Sequence, residues 1–253
     1  MAQLTSIIGY VDNLLQPKLF NDSALNGLQV DAGEGTIRIV AYAVDAGLSV
    51  IERAIAEEAQ LLIVHHGLFW GKVHPISGAF GEKIKILLKQ RCSLYASHLP
   101  LDASLEVGNG VELARFFGLK QIEGFCEYNG KMVGAKGILE KPVELEYFTE
   151  RAAGMVGLAG PLVLPFGNRE IRRVGIVTGS GAFAITPCQQ EGLDLLISGE
   201  PKQEVYHQAR ELHMNALFLG HYATEIFGVR ALAQRLEENF DVRTFFINEP
   251  TGI

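Results

Sequence analysis

The stretch IRIVAYAVDAGLSVIERAIAEEAQLLIVHHG, residues 37–67, decides the fold class of this chain. It opens with a strand-like apolar run at 37–44, continues with a helical pattern at 46–59 and closes with a second strand at 61–66. Nearly continuous apolar strands are typical of parallel sheets that helices cover on both faces. The stretch therefore predicts a β–α–β unit of an α/β fold.

The same alternation continues along the chain. A helical pattern at 81–90, a strand at 93–97 and a further helical pattern at 108–118 follow, with no linker or low-complexity segment between them. The order predicts mixed, largely parallel sheets with helices on their faces.

The second half of the chain repeats this order. Residues 37–67 can be placed over residues 171–201 without a gap, and identical residues then meet at Ile37, Arg38, Val40, Gly47, Glu57, Leu61, Leu62 and Ile63. Further on, His98 falls on His221 and Asp102 falls on Glu225. We interpret this correspondence as an internal duplication.

Composition narrows the classes of function. The chain has 253 residues, 48% of them hydrophobic, and a formal net charge of −7 with no run of Lys or Arg. Nucleic acid is therefore not expected as the main partner, because binding it needs a clustered basic face. The amphipathic N-terminus resembles neither a signal peptide nor a membrane span, and the three cysteines are far apart. These features predict a cytoplasmic protein with reduced thiols and no membrane partner.

Histidines and carboxylates stand where ligands collect in α/β folds, at the carboxyl ends of strands. The candidate metal ligands are His65, His66, Asp102, His221 and Glu225. Imidazole plus carboxylate without thiolate is typical of catalytic Zn, Fe, Mn, Ni or Co sites. Five ligands fall short of two tetrahedra, so a bridging carboxylate and a bridging water would complete a centre of two metal ions. The alternative is that these histidines are ordinary polar residues at strand ends or within a core. His74, His207 and His213 lie in helical or loop contexts without such neighbours, and we expect them to be structural.

Three other features have weaker interpretations. Asp45 is expected to cap a helix, although a ligand or substrate contact is also open. The TGSGAF stretch at 178–183 is expected to form a tight turn, with a phosphate cradle as the alternative. Glu200 could either face the site or stand at a helix N-terminus.

A set of short blocks together resembles one known family. They are NGLQV (26–30), VHHGLFW (64–70), SHLPLD (97–102), TGSG (178–181), ISGE (197–200) and GHYATE (220–225). The chain resembles the YbgI-like family, also called the Nif-three-like or GTP cyclohydrolase 1 type 2 family, over essentially its whole length. The resemblance implies two intertwined α/β lobes, at 1–124 and 125–253, with a metal site in the cleft between them. It also implies hexamers built as a hollow toroid.

The resemblance carries expectations about chemistry as well. The metal ligands of the family fall on the same five residues, with Glu225 bridging two divalent ions. The family name implies hydrolytic opening of the guanine imidazole ring of GTP, in which a bridging hydroxide attacks C8 and formate is released. His98 is the candidate for proton transfer, and its alternative role is to orient Asp102. A ring-forming metal-binding scaffold and a metal-dependent phosphoesterase are the competing functions.

Overall fold

The predicted alternation of strands and helices is present in the computed structural model, which describes residues 1–33, 35–158 and 160–252. The first elements along the chain are β1 (Ala2–Gln3), α1 (Leu4–Leu15), β2 (Gly27–Val30), β3 (Thr36–Ile37), β4 (Ile39–Asp45), α2 (Leu48–Ala56), β5 (Leu61–His66), α3 (Gly78–Lys89), β6 (Ser93–Ala96) and α4 (Leu99–Asp102). They are followed by α5 (Asn109–Phe116), β7 (Lys120–Tyr128), β8 (Lys131–Val143), α6 (Leu145–Ala152), β9 (Leu162–Pro165), β10 (Ile171–Val177), α7 (Ile185–Gln190), β11 (Leu195–Ser198), α8 (Gln203–Glu211), β12 (Asn215–Phe218), α9 (His221–Asn239) and β13 (Arg243–Phe246). Short 3₁₀ turns occupy Pro17–Leu19 and Gly181–Ala184.

The chain divides into two compact units. Unit 1 contains Met1–Leu101 and Val229–Glu249, and unit 2 contains Asp102–Gly228 and the residues from Pro250 onward. The chain thus leaves unit 1 and later returns to it. Asp102, which the sequence-based division assigns to the first lobe, is the first residue of unit 2. The lobe boundary at 124/125 stays a prediction about the duplicated halves.

Unit 1 is built on a five-stranded sheet with the order β13-β4-β5-β6-β2. Four strands are parallel, and β2 pairs with β6 in the antiparallel direction. Every residue of β6 is buried, as is β5 up to His65. This burial explains why both strands read as unbroken apolar runs, since both of their faces are covered.

Unit 2 is built on a six-stranded sheet with the order β7-β8-β10-β11-β12-β9. Only β10, β11 and β12 are parallel to one another, and the other pairings are antiparallel. Asn129 and Gly130 connect β7 to β8 and both have positive φ, at 51° and 79°. Two such residues in sequence form the type I′ turn that the twist of a hairpin favours.

The internal duplication is visible in the register of the parallel strands. Val40 pairs with Leu61 in unit 1, and Val174 pairs with Leu195 in unit 2. This is the same correspondence that the sequence overlay produces. The α/β fold with mixed sheets and duplicated parallel cores is therefore confirmed.

The third strand of each core shows where the two repeats differ. Leu61 pairs with Ser93, and its counterpart Leu195 pairs with Asn215. Five positions separate Ser93 from His98 and six separate Asn215 from His221, so the second repeat has one extra residue before its histidine.

Within the part of the chain that the structure describes, no helix has both the length and the apolar character needed to span a membrane.

Candidate metal centre

His65 is fixed near the end of β5 by a hydrogen bond to a backbone carbonyl. Its side chain is buried, and its Nδ1 lies 2.8 Å from the carbonyl oxygen of Ser97. Because a carbonyl oxygen can only accept, Nδ1 carries the proton and donates it. In the neutral ring, Nε2 is then the atom with the lone pair that could bind a metal ion.

His66 is held in the same way by a carboxylate. Its Nδ1 lies 2.8 Å from Oδ1 of Asp45, the last residue of β4. The expectation that Asp45 caps a helix is wrong, because α2 has Gly47 at its N-cap and no side-chain cap bond. A carboxylate on the second nitrogen is the usual means of orienting a metal-binding imidazole.

The His98 ring is hydrogen-bonded to Asp22, a residue that the sequence analysis did not identify. Its Nδ1 lies 3.0 and 3.1 Å from the two carboxylate oxygens of Asp22, whose side chain is 2% exposed. Burial raises the pKa of Asp22, but hydrogen bonds from His98 and Asn26 outweigh it and lower the pKa to about 2. Asp22 is therefore ionised at neutral pH and fixes the orientation of the His98 ring.

The three imidazoles of unit 1 form a cluster. Ring centroids are 4.5 Å apart for His65 and His66, 5.2 Å for His65 and His98, and 5.7 Å for His66 and His98. One ligand atom of each ring lies within 4.8 Å of the other two. Trp70 flanks this cluster, with its ring centroid 5.0 Å from that of His98.

Gly67 is needed for close packing rather than for a free backbone. A Cβ at this position would collide with the side chain of Gln29 and with Cβ of Ala96. Gln29 is itself placed by the backbone N–H of Leu68, which donates to its Oε1 at 2.7 Å. The glycine thus lets β5 end close to its neighbours while presenting two adjacent histidines.

Unit 2 contains two buried carboxylates close to each other. Asp102 is 8% exposed and Glu225 is 3% exposed, and a carboxylate oxygen of each lies within 4.8 Å of the other. Two such groups repel one another when both are ionised and removed from water, unless a cation or a proton lies with them. The arrangement therefore suits a bound cation or a nearby proton.

A network of amide and hydroxyl groups fixes Asp102. Its Oδ1 accepts a hydrogen bond from Nδ2 of Asn109 at 2.9 Å and one from Oγ1 of Thr178 at 3.3 Å. The amide oxygen of Asn109 in turn accepts the backbone N–H of Gly228 at 2.7 Å. Sequence reasoning missed both Asn109 and Thr178 as partners of the carboxylate.

His221 stands between two carboxylates at the first position of α9. Its Nε2 lies 3.0 Å from Oε2 of Glu225, and its Nδ1 lies 2.7 Å from Oε1 of Glu200. Burial lowers the pKa of His221, but Glu225 and Glu200 outweigh that effect and raise the pKa to about 9. In the metal-free chain a proton on His221 therefore supplies positive charge that a metal ion could replace.

The TGSG turn lies directly against these ligands. Gly179 has a φ of +57°, so the predicted tight turn is present, and a Cβ there would collide with Oε1 of Glu225 and lie 2.9 Å from Nε2 of His221. Ser180 donates a hydrogen bond to Oε2 of Glu200 at 2.8 Å. The lack of a side chain at Gly179 thus leaves room for the side chains of Glu225 and His221.

These donors fit a divalent metal ion of the first transition series. Four imidazoles have Nδ1 held by an oxygen, and two buried carboxylates accompany them. Thiolates are poor alternatives, because burial raises the pKa of Cys92 to about 12 and that of Cys126 to about 11. The described residues thus provide the imidazole and carboxylate ligands that Zn, Fe, Mn, Ni and Co accept.

Known proteins resemble this chain along its full length. The chain is 39% identical over 250 residues to the GTP cyclohydrolase 1 type 2 homolog of Archaeoglobus fulgidus, a match that covers 99% of each. It is 40% identical to the protein of the same name from Pyrococcus abyssi, with 98% of each covered.

Solved structures give the same result. The ybgI protein, of unknown function, matches with a TM-score of 0.89 and 32% identity over 99% of this chain and 100% of that one. A protein from Thermus thermophilus matches with a TM-score of 0.90 and 38% identity, again over 99% and 100%. Reduced HcgD from Methanocaldococcus jannaschii matches with a TM-score of 0.84 and 25% identity over 98% of each chain. The model of the Duf34/NIF3 (NGG1p interacting factor 3) family matches residues 2–252, and the chain belongs to that family.

Proposed function

We propose that this protein is a metal-dependent hydrolase in which His65, His66, Asp102, His221 and Glu225 bind two divalent metal ions. The observation that carries the proposal is the pair of buried carboxylates, Asp102 and Glu225, with His221 beside Glu225. Such a pair of carboxylates is costly to bury without positive charge beside it, which a metal ion would supply in place of the proton on His221. The hydrogen bonds that hold Nδ1 of His65 and Nδ1 of His66 support the same conclusion, since bonds of this kind usually orient metal-binding imidazoles.

The number of ligands supports two ions rather than one. Five ligands with Glu225 shared would give three protein ligands to each ion, which is the number found at catalytic zinc sites. Three protein ligands would leave the fourth coordination position of each ion open to water or substrate. When bound, such ions supply positive charge and an acidified water for hydrolysis.

The protein's own groups would orient the ligands and move protons. Asp45 holds His66, and Glu200 holds His221, each through Nδ1. We assign His98 to proton transfer, because Asp22 fixes its Nδ1 and leaves Nε2 to take up or release a proton.

We propose a nucleotide or a related small molecule as the substrate. The relatives are named GTP cyclohydrolase 1 type 2 homologs, and an aromatic residue suited to a heterocycle flanks the histidines. The indole N–H of Trp70 donates to the carbonyl of Gly67 at 2.9 Å, which fixes the plane of the ring. Stacking of a base on such a ring contributes about 1–3 kcal/mol.

A turnover screen with the metal-loaded protein tests this function. GTP, other nucleotides, phosphoesters and a set of small metabolites would be offered, with formate and phosphate release measured separately. We expect nucleotide turnover that Glu225→Gln abolishes and that Glu204→Gln, an exposed Glu-to-Gln control on α8, leaves intact. Release of phosphate alone would indicate a phosphoesterase. Absence of turnover with two ions bound would favour a metal-binding scaffold.

Metal binding should release a proton near neutral pH. The pKa of His221 is about 9 in the metal-free chain, so the ring is protonated at physiological pH and must lose that proton to coordinate. Affinity for the ion that His221 binds should therefore fall about tenfold per pH unit as the pH decreases below the pKa of about 9.

Calorimetric titration in two buffers of different ionisation enthalpy measures the protons released. Glu200→Gln is the informative variant, because it removes one of the charges that raise the pKa of His221 and should reduce the release. A proton count that stays the same from about one pH unit below that pKa to about one unit above it would contradict coordination by His221.

We also propose a cytoplasmic homo-oligomer, a hexameric ring. Exposed apolar side chains such as Val73, 100% exposed, and Ile76, 65% exposed, support contacts with other chains. Light scattering should give six times the chain mass of 27.7 kDa, and a monomer at micromolar concentration would contradict the ring.

A further inference from the structure

We propose that Lys83, in the middle of α3, binds an oxyanion of the substrate at the carboxyl edge of the unit 1 sheet. This inference rests on the proposed function and adds to it a binding residue that is not among the proposed metal ligands. It makes Lys83 the group that distinguishes a phosphorylated substrate from its neutral counterpart, such as a nucleotide from its nucleoside.

The loop between β4 and α2 lies at the carboxyl edge of this sheet. Asp45 is the last residue of β4, and His66 is the last residue of β5. Ala46, which follows Asp45, donates its backbone N–H to the carbonyl of His66 at 2.9 Å. In open α/β sheets, ligands bind outside this edge. A side chain in contact with Ala46 is therefore placed where a substrate is expected.

Lys83 reaches that edge from α3, the helix that follows β5. The helix begins at Gly78, and Lys83 is its sixth residue. The side chains of a helix are tilted toward its N-terminus, which here is the end that comes from the carboxyl edge. Nζ of Lys83 donates a hydrogen bond to the carbonyl of Ala46 at 3.0 Å. The ammonium group thus lies beside the residue that follows Asp45, whose carboxylate holds His66.

Lys83 has no carboxylate partner among the residues that the structure describes, although its side chain is partly buried. Lys85, two residues further along α3, pairs with Glu82 instead. The carbonyl of Ala46 accepts from one of the three N–H donors of the Lys83 ammonium group and carries no net charge. The remaining donors and the positive charge suit an anion, and lysine is a common ligand of phosphate in proteins.

Phe80 fixes this part of α3 against the segment that follows His66. Phe80 lies three residues before Lys83, a spacing that places both on the same side of the helix. Its ring packs at nearly a right angle on that of Phe69, with the ring centroids 5.3 Å apart. Because the helix is anchored beside Lys83, the ammonium group has less freedom to lose when an anion binds.

Binding of two matched ligands to the metal-loaded protein tests the role of Lys83. Calorimetry would give the affinities of wild type and variants for GTP and for guanosine, which lacks the phosphates. We expect Lys83→Met to lose about 10–100-fold in affinity for GTP, the range of a charge-assisted hydrogen bond, and to keep its affinity for guanosine. Lys83→Arg retains the charge and should keep most of the affinity for GTP. Lys85→Met, at an exposed lysine of the same helix, is the matched control and should change neither affinity.

The same samples separate an anion-binding role from a structural one. Equal losses for GTP and guanosine in Lys83→Met would show that Lys83 only tethers the β4–α2 loop and would overturn the proposal. Metal content should equal that of wild type, and loss of metal in Lys83→Met would overturn it as well. If Lys83→Met bound GTP like wild type while Glu225→Gln still abolished turnover, the proposed function would stand and this inference alone would fail.

A direct measurement covers the case in which Lys83→Met does not fold. In wild-type protein labelled with ¹³C-lysine, the Cε signal of Lys83, assigned by its absence from Lys83→Arg, should shift when GTP is added and stay unchanged with guanosine. An unshifted signal with GTP bound, or wild-type protein that binds GTP no more tightly than guanosine, would overturn the proposal. Protein that bound no metal but showed the GTP-dependent shift would overturn the proposed function and leave the oxyanion site standing.

Discussion

Replacing Glu225 by Gln should remove metal from both positions of the proposed centre, whereas replacing His221 by Ala should mainly empty one. A bridging carboxylate serves both ions, so its neutral amide removes one negative charge from each coordination shell. Glu225 is 3% exposed, and its Oε2 lies 3.0 Å from Nε2 of His221. Bulk water therefore has little access to replace the carboxylate. Elemental analysis of the purified variants, as metal per chain, measures the result.

We expect Glu225→Gln to lose at least about 100-fold in affinity for both ions. Removing a residue that only orients a metal ligand already costs about 10–100-fold, and losing a ligand itself should cost at least as much. The ion that survives in His221→Ala should still have Asp102 among its ligands. Glu204→Gln controls for the change of charge on the surface. If Glu225→Gln kept two ions per chain with unchanged affinity, Glu225 would not be a bridge and the two-metal arrangement would fail.

Gly179→Ala should have the second largest effect, again on metal content. The new Cβ would collide with Oε1 of Glu225 and lie 2.9 Å from Nε2 of His221, so at least one ligand must leave its position. We expect a drop in metal affinity of at least about tenfold, since displacing a ligand costs at least as much as losing an outer partner. Titration with a chromogenic chelator measures it.

Gly130→Ala is the matched control for Gly179→Ala. Gly130 also has positive φ, +79°, but its Cβ would meet nothing within 4 Å. Both variants therefore bear the strain of a left-handed alanine, about 1–2 kcal/mol, and only Gly179→Ala touches the ligands. Equal metal affinity in the two variants would show that the TGSG turn does not shape the centre.

The duplicated cores of the fold were predictable from sequence because their strands are buried on both faces. Residues 61–66 are a strand as predicted, and the helix predicted at 46–59 is Leu48–Ala56. The antiparallel part of unit 2 was not predicted, since β8 alternates irregularly between buried and exposed residues. The Asn129–Gly130 turn was the local signal that could have revealed the β7–β8 hairpin.

The partners of the candidate ligands were harder to find than the ligands themselves. The ligand residues stand out because they end strands and recur in the repeat, but Asp22 is 76 positions from His98 and belongs to no motif. The sequence neighbours of Asp45 favour a helix cap, but α2 has Gly47 at its N-cap. The position of Asp45 opposite His66 follows from the register of β4 and β5, which the residues of a single strand do not reveal. Asn109 and Thr178 likewise meet Asp102 only through the tertiary fold.

An X-ray absorption spectrum of the metal-loaded protein, recorded at the edge of the bound metal, would decide whether the centre exists. We expect nitrogen and oxygen neighbours at about 2.0–2.2 Å from the metal and no sulfur at about 2.3 Å. A second metal should appear at about 3.5–4 Å. Sulfur neighbours, or isolated ions without a metal–metal distance in protein carrying two metals per chain, would contradict a dinuclear centre of histidines and carboxylates.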